Sequence, residues 1–394
     1  MPTGSALSPE CRLLFRTAGP GHRADEIVEL SRTVEWPRVA FIASQEVAGS
    51  ALWRALERGS AADVPAPFAE LLRRQALVTD FRMLHLSRRL QRTVQEFHAR
   101  GVPVMLLKGS AIGALTDPSF RERPMNDLDV LVRRADVDRA CGALREAAWQ
   151  DNADPLLGEL LKDHRHLPPF TDAAVPDLRL ELHVALMPPG DVFAIDDEEF
   201  WREAQPAPAP FEGALVPSAE HLLLHACTHF AWSHAMRFGA WRTMRLANAL
   251  VSTGRLDWER FVALVARAGA GSSCYWTLRL ARRLAGVEVP AAVLDRLATP
   301  RRAWLREALE RSFIAEIVSG EGPPSPSLRL SRFLWLVAIR PGRAHADGGQ
   351  WDHDPRWSRD AAPAVESSPR RLLRHLCGLR SWWGFATRTL VARD

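Results

Sequence analysis

The amino-acid sequence predicts a helix-rich α+β protein in which a small mixed β-sheet lies between two helical regions. Apolar residues recur at helical spacing before residue 100 and again after residue 218. Between these regions, two short apolar runs and one strictly alternating stretch are typical of strands. We therefore divide the chain into a helical region (1–100), a core (101–190), a linker (191–217), a second helical domain (218–320), and a linker with a basic, aromatic helical extension (321–394).

The composition is that of an ordinary folded protein with room for a sizeable core. The chain has 394 residues, of which 47% are hydrophobic and 25% charged, and its net charge is +4. This mild positive charge suits an anionic substrate such as a nucleotide, but it does not by itself indicate nucleic acid. The five cysteines form no C-x-x-C pair, and neither a signal peptide nor an apolar run of the ~20 residues that a membrane span needs is present. We expect a reduced, cytoplasmic protein without a transmembrane segment.

Helical spacing before residue 100 predicts three helices, over 24–33, 36–57 and 67–100. Gly101 and Pro103 end the last of them. One apolar stripe runs along this long helix, and we expect it to pack against the core. The stripe consists of Phe81, Leu84, Leu90, Val94 and Phe97.

The stretch 104–133 carries the chemistry. A first apolar run, Val104–Leu107, ends abruptly in Lys108-Gly109-Ser110. The second run begins with Asp127 and Asp129, and side chains two apart on a strand point to the same face of the sheet. Two carboxylates held that close repel each other unless a cation lies between them, and Mg²⁺ is their natural partner.

The Lys108-Gly109-Ser110 turn is suited to bind phosphate. Gly109 lets the backbone approach a ligand closely, and Ser110 can cap the helix that starts there. The N-terminus of that helix is an anion site. Phosphate on one side and a metal ion on the other are typical of a site that cleaves a nucleoside triphosphate.

A third carboxylate is predicted on the alternating stretch Leu178–Leu186. Its even-numbered apolar residues face one way, whereas Arg179, Glu181 and His183 face the other. A carboxylate on the polar face of a strand that enters the same core is what a third metal ligand requires. The alternative is that Glu181 is a solvent-facing residue on an edge strand.

Two segments together resemble a known pattern. Lys108-Gly109-Ser110, followed by the run 123–132 with sequence R-P-M-N-D-L-D-V-L-V, resembles the uncharacterised nucleotidyltransferase family of the DNA-polymerase-beta-like superfamily. The resemblance implies that Asp127, Asp129 and Glu181 hold two Mg²⁺ ions, with Glu181 standing where Asp is common. We expect Lys108, Gly109 and Ser110 to hold the triphosphate, and Arg121 or Arg123 to neutralise its charge. His183, like His166, is a candidate for binding the substrate.

The predicted function is transfer of a nucleoside monophosphate from a triphosphate to an acceptor hydroxyl, with release of pyrophosphate. We expect ATP as the nucleotide, although no motif reads the base. The acceptor is open, and a small molecule, peptide or protein suits the chain better than nucleic acid. Two alternatives are a non-catalytic nucleotide-binding or regulatory protein on the same fold, and a toxin–antitoxin-type enzyme that modifies a partner protein.

Other polar clusters are less specific. His221, His225 and His229 are spaced for one helix face and could bind zinc, but the glutamate of H-E-x-x-H and a third ligand are missing. We expect them to line the cleft or to pack as neutral imidazoles. Arg245 stands where the family often has Asp, so its role is open. The Asp-His cluster 351–354 is expected to be a solvated turn, and the stretch 370–391 to dock on the helical domain rather than on a membrane.

Overall fold

The computed structural model describes residues 7–21, 24–59, 61–121, 124–125, 127–151, 165–187, 192–298, 303–318, 335–336 and 338–339. Three sequence predictions concern residues outside these ranges, namely Arg123, the Asp-His cluster 351–354 and the stretch 370–391. None of the helices in the described part combines the length and apolarity that a bilayer span requires.

The N-terminal region is helical, as predicted. Its helices are α1 (Pro9–Arg16), α2 (Ala24–Ser31), α3 (Trp36–Gln45), α4 (Gly49–Glu57) and α5 (Ala66–Ala99). The single helix predicted over 36–57 was wrong, because α3 and α4 are separate. Val47 adopts a left-handed φ of 55° between them, and the chain turns there.

The apolar stripe predicted on α5 is only half correct. Leu90, Val94 and Phe97 are buried, but the exposed fractions of Phe81 and Leu84 are 77% and 39%. The N-terminal half of α5 continues the same buried face with Leu72, Ala76 and Met83, because Leu72 lies about five full turns before Leu90. At about 100° per residue, Phe81 and Leu84 lie on other sides of the 34-residue helix, so the predicted stripe joined residues that do not share a face.

The sheet has the strand order β3-β4-β5-β2-β1-β7-β6. Its central strand, β2, runs parallel to β5 and antiparallel to β1, so the sheet is mixed as predicted. The fold is therefore helix-rich α+β. The strands are β1 (Val104–Leu106), β2 (Asp127–Leu131), β3 (Trp149–Gln150), β4 (Phe170–Asp172), β5 (Arg179–His183), β6 (Gln205–Pro206) and β7 (Ala214–Val216).

Helices connect and cover the sheet. Helix α6 (Lys108–Thr116) joins β1 to β2. Ser218 caps the helix over Ala219–Thr228, and its hydroxyl accepts the amide N–H of His221. The remaining helices are α7 (Val137–Glu146), α8 (Asp197–Glu203), α9 (Ala219–Thr228), α10 (Ala240–Ser252), α11 (Trp258–Ala268), α12 (Gly271–Leu280), α13 (Ala291–Leu297) and α14 (Ala303–Val318). Single π turns follow α9 and α12.

The described part of the segment predicted as a linker, 192–217, is structured. It carries α8, β6 and β7, and β7 pairs with β1 in parallel, with Val104 opposite Ala214. Ala214 and Val216 are both 2% exposed. The proline-rich composition misled the sequence analysis, because Pro206 lies on the edge strand β6, where a missing N–H is tolerated.

Helix α6 packs closely on the loop that leads to β2, and Gly113→Ala tests this contact. An added Cβ at Gly113 would lie 2.3 Å from Cδ1 of Phe120, a ring that is stacked on Phe211. We expect a loss of about 1–3 kcal/mol in the free energy of unfolding, because the overpacked ring must move. Urea unfolding measures it.

The matched control is Gly142→Ala in α7, where an added Cβ meets nothing within 4 Å. Removing this helical glycine should stabilise the protein by about 0.5–1 kcal/mol. Equal effects of the two substitutions would contradict the packing described for Gly113.

Candidate functional site

The site is built on the parallel pairing of β2 with β5. The register places Asp129 opposite Glu181 and Leu131 opposite His183. Paired residues in neighbouring strands point to the same face, so the two carboxylates lie side by side, and Asp127 leaves the same face of β2. Glu181 is therefore not on an edge strand, because β5 lies between β4 and β2.

Two cationic or donor groups lie against the paired carboxylates. The ammonium Nζ of Lys108 is 2.6 Å from Oδ1 of Asp129 and 3.6 Å from Oε2 of Glu181. The ring Nε2 of His183 is 3.0 Å from the same Asp129 oxygen and 3.4 Å from the same Glu181 oxygen. Lysine and imidazole together hold the two carboxylates in place.

The site opens to solvent on one side. The side chains of Asp129 and His183 are 5% and 0% exposed, whereas those of Lys108 and Glu181 are 14% and 22% exposed. A ligand that enters from solvent therefore meets Lys108 and Glu181 first, and Asp129 lies beneath them.

These contacts shift the pKa values of the carboxyl groups in opposite directions. Burial alone would raise the pKa of Asp129 and Glu181, but the charge of Lys108 and the hydrogen bond from His183 hold both below their ordinary values. At Asp127, burial and repulsion from Asp129 outweigh the attraction of Lys108 and raise the pKa to about 6. Asp129 and Glu181 thus stay ionised, as a cation site requires.

The Lys108-Gly109-Ser110 turn differs in detail from the prediction. Helix α6 begins at Lys108 after Leu107, so Ser110 lies within the first turn, and the prediction that it caps the helix was wrong. Ser110 is fully buried, and its hydroxyl accepts the amide N–H of Asp129 at 3.0 Å. It joins α6 to β2 directly beneath the carboxylates. Triphosphate binding by Lys108, Gly109 and Ser110 stays a prediction.

Arg121, predicted to act on the triphosphate, has different surroundings from those of Lys108 and Glu181. Its guanidinium pairs with Asp80 of α5 at 2.5 Å, and Asp80 also pairs with Arg54 of α4. These residues line an open cavity of about 990 Å³, whose lining includes neither Lys108 nor Glu181. In this conformation Arg121 fixes the loop after α6 to the N-terminal helices.

The three spaced histidines do not act as one group. His221 lies 3.5 Å from Glu203 of α8, whereas His225 and His229 lie near Lys108. Burial and the positive charge of Lys108 lower the pKa of His225 and His229 well below the ordinary value, which agrees with the expected neutral imidazoles. Within the described ranges, neither belongs to a group of three potential metal ligands.

Two further residues lie next to the site: His166, which the sequence suggested for substrate binding, and Arg242, to which it assigned no role. His166 forms an isolated bridge with His183, and the two rings are 5.2 Å apart. Arg242 of α10 brings a positive charge that favours the ionised form of Asp127. Only the fold shows that each of them faces the site.

The donor set fits a divalent cation. Asp129, Glu181 and His183 each offer an atom, and these atoms lie within 4.8 Å of one another. Asp127 adds a carboxylate from the same strand face, and carboxylate oxygens are the ligands that Mg²⁺ prefers. A second group in the described part, formed by Glu199, Glu203 and His221, is already paired with arginines.

The family model of an uncharacterised nucleotidyltransferase matches residues 32–286, which is more than half of the chain. The chain belongs to this family. The match includes the whole sheet and α6 with Lys108, and membership of the nucleotidyltransferase family indicates nucleotidyl transfer as the general class of function. The comparisons with curated proteins and with solved structures gave no match.

Asp127→Asn tests the electrostatics of this nucleotidyltransferase site. The pKa of Asp127 is raised from 3.8 to about 6. The contribution of this carboxyl group to the free energy of unfolding is therefore full below pH 4 and is lost as the pH rises through 6. In metal-free buffer at pH 7.5, the variant should exceed the wild type in free energy of unfolding by about 1–3 kcal/mol, allowing for partial exposure.

Denaturant unfolding at pH 4.5 and pH 7.5, with EDTA at both, measures the difference between variant and wild type. The difference should be small at pH 4.5 and grow with pH. An unchanged difference would show that Asp127 is not forced toward its neutral form.

Proposed function

We propose that the protein transfers a nucleoside monophosphate from a triphosphate to an acceptor hydroxyl, with release of pyrophosphate and dependence on a divalent cation. The observation that carries the proposal is the β2–β5 register, which sets Asp129 beside Glu181 at the strand face that Asp127 shares. Lys108 and the start of α6 lie against the same carboxylates.

The proposed cation ligands are Asp127, Asp129 and Glu181. Two Mg²⁺ ions, when bound, neutralise the triphosphate and the leaving pyrophosphate. The ionised state of Asp129 and Glu181 supports this assignment, because a protonated carboxyl group is a poor ligand.

The proposed triphosphate site is formed by Lys108 and the first turn of α6. No side chain caps this helix, so its first N–H groups can donate to phosphate oxygens. Gly109, in that turn, has no side chain to obstruct the ligand. ATP is the proposed nucleotide, and the acceptor is proposed to be a small molecule, peptide or protein.

In the proposed reaction, Glu181 accepts a hydrogen bond from the acceptor hydroxyl and orients its oxygen. The oxygen bonds to the α-phosphorus, the bond from that phosphorus to the bridging oxygen breaks, pyrophosphate leaves, and the hydroxyl proton passes to water. Because the pKa of Glu181 is held well below its ordinary value, orientation suits this residue better than storage of the proton.

The alternative is a nucleotide-binding protein without turnover. One observation favours it: the Lys108 ammonium and the His183 ring each lie against both Asp129 and Glu181, so the chain's own residues already pair the two carboxylates. Carboxylates that are paired in this way can serve the structure or nucleotide binding without taking part in a reaction.

The proposed site should bind triphosphate only with a divalent cation, because bare carboxylates repel it. Thermal unfolding with ATP in Mg²⁺ should show a clear increase of the midpoint over the nucleotide-free protein, and ATP in EDTA should show none. Equal stabilisation under both conditions would place the nucleotide away from the carboxylates.

Glu181→Gln distinguishes between an enzyme and a protein that binds nucleotide without turnover. The variant keeps the size of the side chain but loses its charge, so nucleotide affinity should change little while turnover falls by about 10²-fold or more. Turnover is measured as uptake of label from α-labelled nucleotides by a cell lysate that supplies the acceptor, together with pyrophosphate release.

The matched control is Glu198→Gln, an exposed glutamate paired with Arg133 on the surface. It should leave turnover unchanged. Normal turnover in Glu181→Gln would show that β5 has a structural role only. Tight nucleotide binding without transfer by the wild type would favour the non-catalytic alternative.

A further inference from the structure

We propose that Lys108 is a built-in competitor for the cation at Asp129 and Glu181, and that its ammonium moves to the triphosphate when metal and nucleotide bind together. The inference rests on the proposed function, because the nucleotide supplies the second partner of the lysine. It assigns Lys108 two successive roles at one site.

The first role follows from distances. The ammonium lies 2.6 Å from Oδ1 of Asp129 and 3.6 Å from Oε2 of Glu181, so it stands between the two oxygens that the cation would use. Mg²⁺ binds such oxygens at about 2.0–2.1 Å. An ammonium and a divalent ion cannot share this position, because both need the same oxygens and their charges repel.

The Lys108 ammonium has a close partner in Asp129, which other residues hold in place. His183 Nε2 contacts both carboxylates, and the amide N–H of Asp129 is bonded to Ser110. A metal ion that enters alone must therefore expel the ammonium from a good partner and leave it without a counter-charge. This cost weakens the binding of metal alone.

Lys108 can move without a change of fold. It is the first residue of α6, its four-carbon side chain is flexible, and its outer part reaches solvent. Its backbone has a φ of 44°, a left-handed conformation that costs a non-glycine residue about 1 kcal/mol or more. Such a residue is held by its surroundings, here by the hydrogen bond from Leu107 N–H to the Asp129 carbonyl.

The second role follows from charge. A triphosphate brings about four negative charges to the start of α6, where the ammonium and the free N–H groups can bind them. Bound triphosphate therefore stabilises the Lys108 ammonium in its released position. Binding of the metal ion requires that release. Binding of metal and triphosphate is then cooperative, and the coupling is reciprocal.

Lys108→Met tests the proposal because methionine has a similar length and no charge. The full-length protein is titrated with Mn²⁺ alone, followed by the electron paramagnetic resonance signal of the free ion, and separately with manganese tripolyphosphate, a probe without a base. The variant should bind Mn²⁺ at least about tenfold more tightly than the wild type and manganese tripolyphosphate at least about tenfold more weakly.

The matched control is Arg242→Met. Arg242 is a positively charged neighbour of Asp127, but no described hydrogen bond or ion pair joins it to Asp129 or Glu181. It should change the affinity for Mn²⁺ alone by less than about threefold, because Arg242 does not occupy the Asp129 and Glu181 oxygens that Lys108 contacts. An equal gain in Mn²⁺ affinity in both variants would mean that overall charge causes the effect. That result would overturn the proposed competition between Lys108 and the cation.

Unchanged or weaker binding of Mn²⁺ by Lys108→Met would also overturn the proposal, as would unchanged binding of manganese tripolyphosphate. Thermal unfolding verifies that the variant is folded, and Lys108→Gln replaces it if it is not. The Mn²⁺ titration needs no nucleotide, so its failure can be distinguished from a failure of nucleotidyl transfer, which the Glu181→Gln assay reports.

Discussion

Repulsion between Asp129 and Glu181 is the constraint on which the rest of this site depends. The parallel register of β2 and β5 forces the two carboxylates together, with oxygens within 4.8 Å of each other, and two like charges at that separation repel by roughly 3–4 kcal/mol at an effective dielectric constant of about 20. The chain offsets this repulsion from two directions, with Lys108 from α6 and His183 from β5 itself. The buried Ser110 bond then fixes α6 to β2, so the lysine and the carboxylates are positioned as one unit.

The sequence predicted the parts of this site that depend on local pattern. Alternation along 178–186 placed Glu181 and His183 on one face, and the spacing of Asp127 and Asp129 placed both on another strand. The central sheet and the N-terminal helices were predicted for the same reason, since periodicity reports which side of an element is buried.

The rest depended on contacts between segments distant in the chain. No local pattern shows that Lys108 reaches Asp129, 21 residues later, or that Arg121 pairs with Asp80 of α5. Composition was misleading at 191–217, where prolines that mark a turn and an edge strand suggested a linker. On α5, Phe81 lies on the opposite side of the helix from Leu90 and Phe97, so the predicted stripe combined residues of two faces.

The pairing of β1 with β7 has a consequence for the time at which the protein becomes complete during synthesis. Val104 pairs with Ala214, so the sheet joins residues 110 positions apart, and a nascent chain that ends before β7 exposes the edge of β1. Contacts of such separation form slowly, and unpaired strand edges are prone to wrong associations. A ribosome-bound chain that already carries Lys108, Asp129 and Glu181 therefore still lacks a finished sheet until β7 has emerged.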